Sequence, residues 1–339
     1  MNKRICILYT GGTIGMTRTE NGFAPQKGYF AGALAEIRDL QSPDMPVWDL
    51  VEFEPLLDSS NITYREWNRI AREIAERYDR YDGFVVLHGT DTMAYTASAL
   101  SFMLEGLDKP VVFTGSQIPL SELRSDAKDN LITSLMIAGQ GIANEVSLYF
   151  GNQLLRGNRA TKSSADGLIA FTSPNYPVLA HAGISIDYNR DRLLHWAAAG
   201  RVPFHATEIR EASIGVIKLF PGIRFDLFAP IVTPDLKGLV LETFGTGNIP
   251  SYDAALPPLI AKAIENGTTV VVLTQCPQGT VRLGAYETSS ALARAGAVSG
   301  YNMTTEATVT KLAYLFSLGL PDAEVRRLMA EDLRGELTK

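Results

Sequence analysis

Short apolar runs alternate with amphipathic stretches through the first half of the chain. The runs have the length and composition of buried strands, and they lie at residues 4–10, 47–53, 83–87, 110–114 and 145–150. Between them, apolar residues recur at helical spacing, most regularly in the stripe Trp67, Ile70, Ala71, Ile74, Ala75 and Tyr78. Strands that alternate with helices in this way predict a parallel sheet with helical crossovers.

The second half of the chain repeats this alternation on a smaller scale. Strands are predicted near residues 214–218, 238–242 and 268–274, and helices near 257–266, 304–318 and 321–333. Residues 190–212 mix charges with glycine and proline and have no regular period, which is typical of a linker. We therefore predict an α/β protein with a large, mostly parallel N-terminal domain at 1–189, a linker at 190–212 and a smaller C-terminal α/β domain at 213–339.

Small polar residues follow the first three predicted strands. Thr13 follows the first strand after two glycines, Asp58-Ser59-Ser60 follows the second, and Thr90 with Asp91 follows the third. Because the carboxyl ends of parallel strands meet at one edge of a sheet, where α/β proteins bind ligands, we expect a small polar ligand there. The alternative for Thr90 or Asp91 is a helix N-cap, a position that both residue types favour.

A lysine among small residues is a further candidate. The segment 156–166 is polar and without periodicity, so it is predicted to be a loop, and it contains Lys162. A lysine on a loop is usually a solvated surface charge. The alternative is a lysine within hydrogen-bond reach of a hydroxyl nucleophile, which it can activate.

Composition and charge narrow the classes of function. The net charge of −6 argues against a nucleic-acid or anionic-membrane partner, because both need a basic surface. No apolar run has the length of a membrane span. Two widely separated cysteines have neither a disulfide pattern nor zinc spacing, so we expect no metal and a reducing, cytoplasmic compartment.

The catalytic chemistry follows by elimination. The chain has no G-x-S-x-G, H-E-x-x-H or C-x-x-C motif and only four histidines, which argues against Ser-His-Asp and zinc hydrolysis. The hydroxyls of Thr13 and Thr90, the Asp91 carboxylate and the Lys162 amine remain. Together they are suited to acyl transfer on a small, charged amide without a cofactor.

Three motifs resemble those of the bacterial L-asparaginases, specifically their cytoplasmic type I branch. They are Thr-Gly-Gly-Thr-Ile-Gly at 10–15, His-Gly-Thr-Asp-Thr-Met-Ala-Tyr at 88–95 and Arg-Ala-Thr-Lys at 159–162. The resemblance runs from Ile5 to the closing Leu-Arg-Gly-Glu-Leu at 333–337. It implies a hydrolase that converts L-asparagine to L-aspartate and ammonia, assembled as a homotetramer, a dimer of dimers.

The resemblance also assigns roles to the candidate residues. Thr13 matches the nucleophile, and Thr90 and Lys162, with Asp91, match a second catalytic group. Asp91 also matches the residue that binds the substrate α-amino group, and Ser59 matches the one that holds the α-carboxylate. For this family, an acyl-enzyme on Thr13 and direct attack by a water that Thr90 activates both remain open.

Two departures from the family pattern matter. Residues 17–27, with Asn21-Gly22, predict a hairpin or flap, and Phe23 stands where type I enzymes carry a tyrosine. Type I enzymes also have a second, regulatory asparagine site. Its residues are matched by Thr161, Asn248, Thr274 and Cys276, but Glu242 replaces its arginine. A glutamate there is expected to repel the effector carboxylate.

Two alternatives to an asparaginase remain at this level. The amidase subunit of a tRNA-dependent amidotransferase belongs to the same superfamily, although the chain has neither an extra domain nor a basic surface. A non-catalytic small-ligand binding protein would use the same strand ends, but it would not require Lys162 beside two threonines.

Overall fold

The computed structural model describes residues 3–20, 22–26, 28–194, 202–250, 252, 255–284 and 287–339. The chain divides into two compact units, unit 1 at Met1–Glu208 and unit 2 at Ile209–Lys339. Both units are α/β, as the pattern predicted. The linker at 190–212 stays a prediction, and its residues 195–201 lie outside the described residues.

Unit 1 contains fourteen strands and four α-helices among its described residues. The strands are β1 (Arg4–Gly11), β2 (Met16–Thr19), β3 (Gly22–Pro25), β4 (Val47–Leu57), β5 (Gly83–Leu87), β6 (Leu104–Glu105), β7 (Val111–Thr114), β8 (Val146–Phe150), β9 (Gln153–Arg156), β10 (Thr161–Lys162), β11 (Phe171–Thr172), β12 (Ala180–Ala182), β13 (Ile186–Tyr188) and β14 (His205–Ala206). The helices are α1 (Tyr29–Glu36), α2 (Tyr64–Arg77), α3 (Met93–Met103) and α4 (Ala127–Gln140).

The main sheet of unit 1 has eight strands in the order β13-β12-β9-β8-β7-β5-β1-β4. From β4 to β8 all neighbours are parallel, whereas β9, β12 and β13 extend the sheet with antiparallel pairs. Every residue of β5 is buried, as is every residue of β1 after Arg4. The mostly parallel sheet that the pattern predicted is therefore present, and its central strands end at one edge.

Unit 1 differs from the prediction at β4, which runs to Leu57 and not only to residue 53, and at Lys162. Helix α4 begins only at Ala127, because the carboxylate of Asp126 accepts the backbone N–H of Gln117 and Ile118 and so holds the preceding segment in a turn. Lys162, predicted to lie on a loop, lies on β10, where it pairs with Phe171 of β11. A capping box of Thr63 and Glu66 marks the start of α2, just before the predicted helical stripe.

Unit 2 contains a parallel four-stranded sheet with helices around it. Its described strands and helices are β15 (Ile214–Lys218), β16 (Gly238–Thr243), β17 (Thr269–Thr274), β18 (Val298–Ser299), α5 (Leu256–Glu265), α6 (Glu287–Ala295), α7 (Thr305–Ser317) and α8 (Asp322–Met329). The last helix ends at Met329 and not at 333. There the fully buried ammonium of Lys311 binds the Met329 carbonyl and, at 2.6 Å, the Glu336 carboxylate.

The described helices are all too short or too polar to cross a membrane.

Candidate active site

Glycines bring the ends of β1 and β5 into backbone contact. Gly11, the last residue of β1, and Gly12 have φ angles of 132° and 86°, in the region that favours glycine. A Cβ on Gly12 would lie only 2.5 Å from the backbone nitrogen of Gly89. Thr13, the next residue, is half-buried and begins a short 3-10 helix. The close approach of Gly12 thus brings Thr13, the residue that follows it, up to the Gly89-Thr90 turn.

The end of β4 reaches the same turn. Ser59 is only 5% exposed, and a Cβ on Gly89 would overlap its hydroxyl oxygen. The carbonyl of Ser59 accepts a hydrogen bond of 2.7 Å from the Thr92 hydroxyl. Asp58 accepts the backbone N–H of Ser60 at 3.0 Å, so it caps the short helix that presents Ser59. Ser60 itself is exposed.

Thr90, Asp91 and Lys162 form one hydrogen-bonded group. The Nζ of Lys162 donates to Thr90 Oγ1 at 2.9 Å and to Asp91 Oδ1 at 2.7 Å. The side chain of Lys162 is 19% exposed, whereas that of Asp91 is 64% exposed. The ammonium is therefore shielded from water next to the Thr90 hydroxyl, and a carboxylate oxygen of Asp91 faces solvent. This group can move a proton at Thr90 and can bind a cation at Asp91.

Gln117 belongs to this site although it was not among the predicted site residues. Its Oε1 accepts a hydrogen bond of 3.3 Å from Thr90 Oγ1, and its Nε2 donates to the carbonyls of Ala165 and Gly167 at 3.1 Å. The hydroxyl proton of Thr90 therefore points at Gln117. The lone pairs of the Thr90 oxygen then point away from Gln117. Gln117 follows a buried strand, which is the signal that found Thr13, Ser59 and Thr90.

His88, the second residue missing from the predicted site, lies directly before the turn. It is 1% exposed, and its ring packs edge-on against Phe113 with the ring centres 6.0 Å apart. Its Nδ1 lies 2.7 Å from the Gly89 carbonyl oxygen and its Nε2 lies 2.9 Å from Thr96 Oγ1. Burial lowers the pKa of His88 from 6.5 to about 4. The ring is consequently neutral at neutral pH.

The predicted hairpin forms from β2 and β3. Phe23 pairs with Arg18 across it, is 45% exposed, and lies under the Arg18 guanidinium, whose carbon is 5.5 Å from the ring centre. Arg18 also contacts Glu122 at 3.4 Å. Asn21 and Lys27 of the predicted flap lie outside the described residues. Phe23 carries no group that can donate to the Thr13 hydroxyl.

The residues matched to a regulatory site lie in both units. In unit 2, Glu242 accepts a hydrogen bond of 2.5 Å from the Thr305 hydroxyl and lies 3.9 Å from the Lys218 ammonium. Thr274 Oγ1 accepts the backbone N–H of Cys276 at 3.0 Å. Asn248 pairs with Phe244 through backbone hydrogen bonds. In unit 1, Thr161 pairs with Thr172. Glu242 thus already has hydrogen-bond and charge partners of its own.

Acidic, histidine and cysteine side chains do not form a metal site among the described residues, where no group of three or more could hold an ion. The arrangement at the sheet edge instead offers hydroxyls, one amine and one carboxylate. Such a set is suited to nucleophilic attack with proton transfer.

Comparison with known proteins identifies two matching family models. The one described as "Asparaginase, N-terminal" matches residues 4–194, and the one described as "Glutaminase/Asparaginase C-terminal domain" matches residues 213–329. L-asparaginase 1 of Escherichia coli is 49% identical over 338 residues, which cover 99% of this chain and 98% of that protein.

A solved structure and a more distant relative complete the comparison. The crystal structure of L-asparaginase I from Vibrio cholerae has a TM-score of 0.92 and 45% sequence identity, with complete coverage of both chains. The L-asparaginase of Thermococcus kodakarensis is 34% identical over 339 residues, which cover 99% of this chain and 99% of that protein. The chain is thus similar over its whole length to all three asparaginases.

Proposed function

The chain belongs to the asparaginase family of amidohydrolases, and we propose that it hydrolyses the side-chain amide of L-asparagine to L-aspartate and ammonia. The observation that carries this proposal is the pair of hydrogen bonds from Lys162 Nζ to Thr90 and Asp91. A protein that only bound a small ligand would not require an ammonium hydrogen-bonded to both a hydroxyl and a carboxylate. An amidohydrolase requires such a group to move protons.

We place the substrate by charge. Asp91 binds the α-ammonium of asparagine, because its carboxylate is partly exposed and lies beside the Thr90 hydroxyl. The hydroxyl of Ser59, which lies against Gly89, binds the α-carboxylate. With both ends of the small substrate held, its side-chain amide falls between Thr13 and Thr90. Such positioning supplies much of the rate enhancement in amide hydrolysis.

The proposed reaction has two steps. The Oγ of Thr13 attacks the amide carbon, its proton is transferred to the leaving nitrogen, and the C–N bond breaks to release ammonia. Water then adds to the aspartyl ester on Thr13, and the ester bond breaks to return the hydroxyl. Thr90 and Lys162 move the protons, with Gln117 fixing the direction in which the Thr90 hydroxyl donates.

Ammonia release tests the activity. Purified protein is incubated with L-asparagine, with L-glutamine and with buffer alone, and we expect ammonia and aspartate in equal amounts from asparagine. No ammonia above the buffer control would refute the function. Hydroxylamine trapping tests the acyl-enzyme: asparagine and aspartate β-methyl ester should give the same ratio of hydroxamate to aspartate. Different ratios would favour direct attack by water.

We further propose that the protein is a cytoplasmic homotetramer. Cys6 and Cys276 are both free thiols, and Cys276 is exposed, which fits a reducing compartment. Light scattering during size-exclusion chromatography measures the oligomeric state, and a mass other than four chains contradicts the tetramer. Cell fractionation of the native host tests the compartment.

A further inference from the structure

The hydrogen bonds of His88 define its tautomer. A carbonyl oxygen can only accept, so the contact of 2.7 Å to Gly89 requires the proton on Nδ1. In a neutral ring, Nε2 is then an acceptor, and the Thr96 hydroxyl donates to it at 2.9 Å. The indole N–H of Trp67 in turn donates to Thr96 Oγ1 at 3.2 Å. Hydrogen bonds thus lead from Trp67 through Thr96 and His88 to Gly89, and each group donates to the next.

This chain of hydrogen bonds fixes one peptide group of the site. In a trans peptide the C=O and N–H point in opposite directions. With the Gly89 carbonyl held by the buried His88 ring, the N–H of Thr90 points away from that ring. Among the described residues, no protein acceptor is paired with this N–H, although Thr90 is only 7% exposed. The backbone N–H of Thr90, the residue whose hydroxyl contacts Lys162, is therefore an unused donor.

We propose that His88 is a positioning residue, whose Nδ1–H holds the Gly89-Thr90 peptide so that the Thr90 N–H faces the oxygen of the reacting amide. Negative charge develops on that oxygen when the carbonyl carbon becomes tetrahedral. A preorganised N–H donor stabilises this charge more than it stabilises the neutral ground state. This role rests on the proposed amidohydrolase function.

The surroundings of His88 support a fixed orientation. Gly89 has Gly12 on one side and Ser59 on another, so its backbone cannot move without displacing residues of the site. Phe113 fixes the plane of the imidazole, and Thr96, on the first turn of α3, fixes its tautomer. A rotated peptide would lose the His88 hydrogen bond and turn the Thr90 N–H away from the substrate.

Two substitutions separate the two ring nitrogens. Asparagine places an amide N–H near the position of Nδ1, whereas glutamine places one near Nε2. We expect His88→Asn to keep kcat within about tenfold of the unmodified enzyme. His88→Gln should lower kcat on the order of 100-fold, the effect of losing one oxyanion donor, with KM changed less than about threefold. His181→Gln is the matched control, because His181 is exposed on strand β12, and it should retain full activity.

Binding of the product L-aspartate and circular dichroism distinguish positioning from folding. Both variants should bind aspartate with unchanged Kd, because the contacts of Asp91 and Ser59 remain. An independent measurement uses the unmodified protein: 15N spectra of its four histidines should contain one that is protonated at Nδ1 and does not titrate above pH 5. A buried histidine protonated at Nε2 would overturn the proposal whether or not the variants fold.

The outcomes also separate this inference from the proposed function. If the unmodified protein releases ammonia from asparagine and His88→Gln is folded and retains kcat, the positioning role is wrong and the function stands. Equal loss of kcat in folded His88→Asn and His88→Gln likewise overturns it, because only one variant lacks the donor at Nδ1. If the unmodified protein releases no ammonia, the proposed function itself fails.

Discussion

Replacing Lys162 by methionine should abolish turnover while leaving the fold nearly as stable as before. Methionine keeps most of the apolar stem and removes the ammonium that donates to Thr90 Oγ1 at 2.9 Å. Proton transfer by a positioned group contributes about 10²–10⁴ in rate, which corresponds to about 3–5 kcal/mol of barrier. We therefore expect kcat to fall by several powers of ten.

The cost in stability should be small because of where the partner charge lies. Asp91 is 64% exposed, so its carboxylate returns to water when Lys162 is removed. Exposed ion pairs contribute only about 0–1 kcal/mol to folding. In Lys162→Met the rise in the reaction barrier should thus exceed the loss of folding stability by several kcal/mol. This difference would identify Lys162 as a catalytic group and not a structural one.

The assay measures ammonia release over a range of asparagine concentrations, and urea unfolding of the same preparations. Lys128→Met is the matched control, since Lys128, on helix α4, also forms an ion pair within unit 1, with Asp39. It should change neither kcat nor KM. Lys162→Arg keeps the cation but not the amine, and it should remain strongly impaired.

Two results would refute this reasoning about Lys162. Retention of a tenth of the normal kcat in Lys162→Met would mean that the ammonium takes no part in proton transfer. Unfolding of Lys162→Met in urea concentrations where Lys128→Met stays folded would mean that Lys162 is mainly structural.

Four further predictions follow from single residues. Thr13→Ala should lose several powers of ten in kcat, each worth about 1.36 kcal/mol, with unchanged urea unfolding; a tenth of normal activity would exclude Thr13 as the nucleophile. Phe23→Tyr should raise kcat, because a hydroxyl that orients Thr13 is worth about 1–3 kcal/mol, whereas an unchanged or lower rate would exclude that role. Rates should depend hyperbolically on asparagine and become sigmoidal in Glu242→Arg, since Glu242 repels a second carboxylate; sigmoidal rates for the unmodified enzyme would contradict this. The pKa of His88 is lowered from 6.5 to about 4, so the contribution of its neutral ring to the free energy of unfolding is complete above pH 6.5 and is lost as pH falls toward 4. Urea unfolding should show that the free energy of unfolding falls by about 3 kcal/mol over this range, and this fall should be absent in His88→Asn.

The central strands of the fold could be predicted because their burial leaves a long apolar signal. All five residues of β5 are buried, and a run of that kind at the end of a helical stretch has few other interpretations. The antiparallel strands β12 and β13 were not predicted, because each has three residues and is only partly buried. The start of α4 depends on the Asp126 carboxylate and two distant N–H groups, which local helix propensity does not register.

The site could be predicted only as far as position along the chain determines it. The strand-end rule pointed to Thr13, Ser59 and Thr90 as candidates, because parallel strands bring their carboxyl ends together whatever the side chains are. Lys162 was assigned to a loop, since the pairing that makes it a strand involves Phe171 and leaves no local periodicity. His88 gave no signal of its own, because a histidine beside a buried strand usually satisfies a core hydrogen bond.

The glycines explain why this set of strand ends forms a site and not merely an edge. A side chain on Gly12 would meet the Gly89 backbone, and one on Gly89 would meet Ser59, so the three segments lie closer than any Cβ would allow. Backbone contact of this kind leaves little freedom for the peptide between Gly89 and Thr90. The main chain therefore fixes, relative to one another, the residues to which we assign these roles in our proposal: Ser59 for binding, Thr13 as nucleophile and the Thr90 N–H as donor. A substrate as small as asparagine requires this, because it has few groups of its own with which to select an orientation.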